Sequence, residues 1–135
     1  PATLSIARLN QLFTVATVEI GSLSAVRENS LKVYVVPRDA DGDPLKAAAA
    51  IRVEAFDLTK PEKPLLGRWD FPAGDAGKNW YESIIVRGYA LTCPLKAPAS
   101  TTEITVRISF VDSLTQRTLT TQRVLSNKPA PMPAK

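Results

Sequence analysis

Few residues of this chain have types and spacing that could do chemistry. Asp39, Asp41 and Asp43 alternate in the run DADGDP, and carboxylate oxygens so spaced can converge on a hard cation such as calcium. The run departs from an EF-hand loop in three ways. Gly42 falls between the second and third aspartates, Pro44 stands where that loop has its glycine, and Ala50 stands where it has its bidentate glutamate. The expectation is a tight strand-connecting turn with acidic tips, in which the aspartates fold onto nearby amides. The alternative is a weak calcium site at a sheet edge.

Aromatic side chains are the second candidate. Trp69, Phe71, Trp80, Tyr81 and Tyr89 fall within 21 positions. Trp69 and Phe71 have the same parity on one strand and are expected in the core. Trp80 and Tyr81 are adjacent, so in an extended chain they point opposite ways. One of them is expected to cover the core and the other to be exposed, where a ring can stack on the apolar face of a sugar.

Other chemistry is missing its parts. The chain has no histidine, which removes His-based acid–base catalysis, the Ser–His and Cys–His dyads and the commonest zinc ligand. Its one cysteine, Cys93, has no disulfide partner within the chain. Flanked in phase by Leu91 and Leu95, it reads as a small buried hydrophobe rather than a nucleophile. No run matches a Gly-rich phosphate loop or the Ser-x-x-Lys dyad. Carboxylate pairs such as Asp70 with Asp75, or Glu54 with Glu103, lie on exposed strand phases or in loops and read as surface acids. The expectation is no enzyme and no cofactor. The net charge is +4, but the arginines are scattered rather than gathered into a patch with aromatics, which argues against nucleic acid as a partner.

These residues must be positioned by strands. In LKVYVVPRD, Leu31, Val33 and Val35 share one face, and Pro37 is expected to end the strand or mark an edge. IRVEAFDL turns Ile51, Val53 and Ala55 inward. LLGRWDF is read with Leu65, Trp69 and Phe71 on one face. EITVRISFVD alternates Ile104, Val106, Ile108 and Phe110 against polar residues, and with RTLTTQRVL it forms a hairpin. IIVRGYALTCPL is read as one strand, bent at or approached closely by another backbone at Gly88.

The stretch from Leu4 to Ile20 suits one or two strands, though a short helix remains open. Gly21–Ser30 and the piece PAGDAGKNWYES read as loops, with Asp75 able to cap one helical turn. The sum is about seven or eight strands, the pattern of an all-β, antiparallel two-sheet sandwich. Residues 1–125 make one domain. Residues 126–135, rich in proline, make a tail or linker. No apolar run is long enough for a transmembrane helix. Pro1 is unlike a native start, so the chain is expected to be a trimmed or processed form, with any export signal or lipid anchor upstream.

The stretch VYVVPRDADGDPLKAAAAIRVEAFDL, with LGRWDF, RGYAL and the ITVRISF–TLTTQRV hairpin, resembles bacterial immunoglobulin-like β-sandwich domains of exported or envelope proteins, lipoproteins among them. The resemblance covers residues 3 to 125 and carries over no functional residue. The cysteine pair of antibody domains is missing. The alternating strands, the lack of catalytic residues and the Pro-rich end lead, with this resemblance, to the expectation of a non-catalytic module with a structural or protein-interaction role in an exported or envelope protein. A protein partner is favoured over a glycan. The alternatives are a carbohydrate-binding module using Trp80 or Tyr81, and a weak calcium-binding adhesive domain using Asp39, Asp41 and Asp43.

Overall fold

A computed structural model describes residue 6 and residues 13–27, 29–62, 64–96 and 103–126. Along the chain run β1 (Thr17–Ile20), β2 (Ala25–Arg27), β3 (Ser30–Arg38), β4 (Ala49–Phe56), β5 (Leu65–Phe71), helix α1 (Ala73–Gly77), β6 (Trp80–Glu82), β7 (Arg87–Pro94), β8 (Glu103–Asp112) and β9 (Thr118–Ser126). They form two antiparallel sheets. The first has the order β1-β3-β7-β6, with β2 also paired to β3; the second has the order β5-β4-β8-β9. The fold is the expected all-β two-sheet sandwich. Among the described residues no helix is long and apolar enough to cross a membrane.

Period-two burial builds the core. Leu31, Val33 and Val35 of β3, with Leu91 and Cys93 of β7, face Ile51, Val53 and Ala55 of β4 and Ile104, Val106, Ile108 and Phe110 of β8; all are buried. Removing each of the valine, leucine, isoleucine and phenylalanine side chains from water is worth roughly 1.5–3 kcal/mol. A slip of one residue in any of these strands would turn its whole apolar set to solvent, which fixes the registers. Tyr89 is buried beside them and its hydroxyl donates to the carbonyl of Ala47.

The two sheets are tied at both margins. On one side β9 lies beside β1, and the Arg123 guanidinium donates to the Ile20 carbonyl at 3.0 Å. On the other, Trp69 of β5 reaches across so that its indole N–H donates to the Pro94 carbonyl of β7 at 3.1 Å. Gly67 makes room for that ring: a Cβ there would lie 2.6 Å from its Cη2. Above it α1 packs over β4 and β7 and buries Ala76.

Several expectations change. Leu65 is 43% exposed, and Leu66 packs against the core with Trp69 and Phe71. The β4–β5 register shifts between Ala55 and Phe56, and this irregularity moves the apolar phase by one residue. The loop Gly21–Ser30 contains β2, whose Val26 is buried. The piece read as a loop after Phe71 holds α1 and β6. Asp75 lies inside the first turn of α1; the residue before the helix is Pro72, with no side-chain cap.

β3 continues through Pro37 and is interior, not an edge. The last β3–β7 pair is Val35 with Tyr89, and the Pro37 carbonyl accepts from the Leu45 amide at 2.8 Å. Because N and O of a strand residue point the same way, the missing donor faces that loop and costs no ladder bond. Ile84 and Ile85 precede β7 in a turn. Of the stretch Leu4–Ile20, Thr17–Ile20 is a strand; residues 4, 5 and 7–12 and the tail from residue 127 lie outside the described residues.

Candidate functional site

Asp39 is buried, and its side chain builds the turn that follows β3. Its Oδ1 accepts from the amides of Asp41 at 2.9 Å and Asp43 at 3.1 Å. Its own amide donates to the Asp43 carbonyl, and Gly42 takes a φ of 87°, a value that suits glycine. Arg38 braces the turn, donating to the Gly42 carbonyl at 2.9 Å and to Glu19 at 2.5 Å. Among the described residues no group of three or more acidic or cysteine side chains is placed to hold a metal ion.

Two further aspartates do the same work, and sequence reading missed them. Asp57 ends β4 and accepts from the Thr59 amide at 3.0 Å and the Thr59 hydroxyl at 2.5 Å. Asp112 ends β8 and accepts from the Leu114 amide at 3.3 Å and the Thr115 hydroxyl at 2.8 Å. Both are buried. The Asp-x-Thr and Asp-x-x-Thr spacings behind the strands were the available signal.

The remaining reactive side chains are occupied or muted. Asp70 pairs with Arg52 at 2.7 Å, Glu54 with Arg68 at 3.1 Å, and Asp75 with Lys78 at 4.0 Å. Burial pushes the Cys93 thiol up to about 12, so near neutral pH it is a neutral thiol with little nucleophilic character.

The structure separates Trp80 from Tyr81 as adjacent strand residues require. Trp80 packs inward, its ring edge-on to Tyr89 at a centroid separation of 5.0 Å, and its N–H donates to Glu82 at 2.9 Å. The Trp80 indole, with help from Arg87 and Lys46, holds the Glu82 carboxyl below its ordinary range despite partial desolvation. Tyr81 is 44% exposed on the outer face of the first sheet, 6.0 Å from the Tyr34 ring and tilted to it by 55°. It stands opposite Gly88. A Cβ at Gly88 would lie 2.5 Å from the Val35 carbonyl oxygen, so the close backbone approach expected there is present.

Beyond Tyr81 the β6–β7 connection carries Ile84, the most exposed apolar side chain among the described residues, and next to it Ile85. Ile84 is fully exposed and Ile85 is 77% exposed. Ser83 fixes their turn: its hydroxyl oxygen accepts from the amides of Ile85 at 3.2 Å and Val86 at 3.0 Å, while its own amide donates to the Val86 carbonyl at 2.8 Å. Turn tips usually carry Gly, Asn, Asp or Pro. Two β-branched aliphatics there satisfy neither turn chemistry nor burial. Sequence reading placed them in a strand because their composition is that of one.

Comparison of the chain with protein-family models, with curated proteins and with solved structures finds no match.

Proposed function

We propose that this chain is a non-catalytic, immunoglobulin-like interaction module of an exported or envelope protein, and that it engages a protein partner through the Ile84–Ile85 tip. The strand order supports the immunoglobulin-like part of this reading. β1-β3-β7-β6 facing β5-β4-β8-β9 corresponds to strands A-B-E-D facing C′-C-F-G of that architecture. The observation that carries the function is the tip itself. Two adjacent aliphatic side chains, one fully and one mostly in water, stand on a turn that the Ser83 hydroxyl ties together, and places where local rules break in this way are expected at functional or strained positions.

A photo-crosslinking amino acid at position 84 of the intact protein in its native cells tests this. The expected result is one discrete protein adduct, absent when the probe is moved to the exposed Val124 on the far sheet. Labelling of lipid alone, or turnover of a chemical substrate by the purified chain, would overturn the reading. Tyr81 supports a second reading as a sugar-stacking ring beside Tyr34. A glycan array that gives the same empty result for wild type and Tyr81→Ala removes it.

A further inference from the structure

β5 ends the second sheet. Among the described residues its one strand neighbour is β4, and α1, which follows it, turns in over β4 and β7 rather than out past the edge. An open edge presents unpaired amides and carbonyls and is a template for another strand unless the sequence blocks it. Proteins commonly block an edge with charges that repel an incoming copy. The charges of β5 do the reverse in one particular register.

Arg68 and Asp70 lie on the outer face of the sheet, with Trp69 between them turned to the core. Two copies of β5 paired antiparallel about a two-fold axis can keep outer faces aligned only if the axis passes a residue. With the axis at Arg68, two arginines meet; with it at Asp70, two aspartates meet. With the axis at Trp69, Arg68 of each copy stands opposite Asp70 of the other, twice. The cross-strand rows already present then continue across the junction. Arg52 is in register with Asp70, Glu54 with Arg68, and Arg107 with Glu54. One row therefore reads Arg52, Asp70, then Arg68, Glu54 and Arg107 of the second copy, with the sign alternating at every step. Opposite charges directly across strands attract and like charges repel.

We propose that the chain forms a symmetric dimer by pairing β5 with β5 of a second copy, in the register that centres on Trp69, joining the two four-stranded sheets into one. A pairing this short buries little surface, so the dimer belongs to the small, weak class of interfaces.

The test uses charge-reversed variants followed by sedimentation equilibrium. Asp70→Lys sets an ammonium against Arg68 of its twin, and Arg68→Glu sets a second carboxylate against Asp70. Each variant alone should dimerise roughly tenfold or more weakly than wild type. Mixed in equal amounts they should pair with each other, since every facing pair is again opposite in sign. Circular dichroism checks that both variants fold. Amide hydrogen exchange on the wild type gives a second readout that needs no variant: residues 67–71 should exchange more slowly as concentration rises. A wild type that stays monomeric to about 1 mM overturns the proposal, as does a dimer indifferent to both substitutions or a mixture that fails to pair. β5 serving instead as the dock for a strand of another protein would give the monomeric result.

Discussion

Asp57 shows how a buried carboxylate is held at a strand end. Its side chain is 1% exposed. One oxygen takes the Thr59 hydroxyl and amide, while the other makes no hydrogen bond and has the Lys60 ammonium 3.9 Å away. The Thr59 hydroxyl, joined by the Thr59 amide and Lys60, pulls the Asp57 carboxyl below its ordinary range against the opposing effect of burial. The folded value thus lies below the unfolded one. The contribution to stability is complete above the unfolded pKa, about 4, and is lost as pH falls through the folded value. Thr59→Val removes the leading cause. In urea unfolding the variant should be less stable than wild type at pH 7, and the gap should narrow steadily as the pH falls below about 4. A gap of constant size at every pH would mean that the hydroxyl acts through packing and not through the carboxylate.

Whole strands were legible wherever one face alone is buried. IRVEAF of β4 and the alternating run of β8 display period two because the inner face meets the other sheet and the outer face meets water. The phase of β5 departs from its sequence pattern for a reason its own residues do not carry. The register shift sits opposite Ala55 and Phe56 on its partner, so Leu66 rather than Leu65 meets the core. β2 and β6, of three residues each, exist through their neighbours and are too short to show a period. The pairing of Tyr34 with Tyr81 was hidden too, since it needs the β3-β7-β6 order to bring two distant segments together. The Ile84–Ile85 tip does carry a sequence signal: Ser83 is a turn former placed just ahead of them. The phase of β5 can be measured. Leu66→Ala should destabilise the fold by about 1–3 kcal/mol, and Leu65→Ala by about 0.5 kcal/mol or less, in chemical denaturation. The reverse order, with Leu65→Ala the costlier, would restore unbroken alternation with Trp69 and Phe71 and remove the bulge.

At the scale of the molecule, two facing sheets with no covalent staple need something to fix their separation at the margins as well as in the middle. Cys93 has no partner in the chain and lies buried among aliphatics, and among the described residues a side-chain hydrogen bond spans each margin: Arg123 to Ile20 where β9 meets β1, and Trp69 to Pro94 where β5 looks across to β7. Arg123→Met keeps the aliphatic stem and loses the bond. Trp69→Phe keeps an aromatic ring over Gly67 and loses the indole donor. Arg123→Met should cost about 1–2 kcal/mol, since it leaves the buried Ile20 carbonyl without its donor, and Trp69→Phe about 1 kcal/mol or less, since water can reach the Pro94 carbonyl. The two bonds sit at opposite margins and share no residue, so the double variant should lose the sum of the single losses to within about 0.5 kcal/mol. Equilibrium unfolding of the four proteins measures that difference directly. A double variant much less stable than the sum would mean that either bond alone can hold the sheets in place, and that the spacing of the sandwich is set at its margins rather than by the packed residues between them.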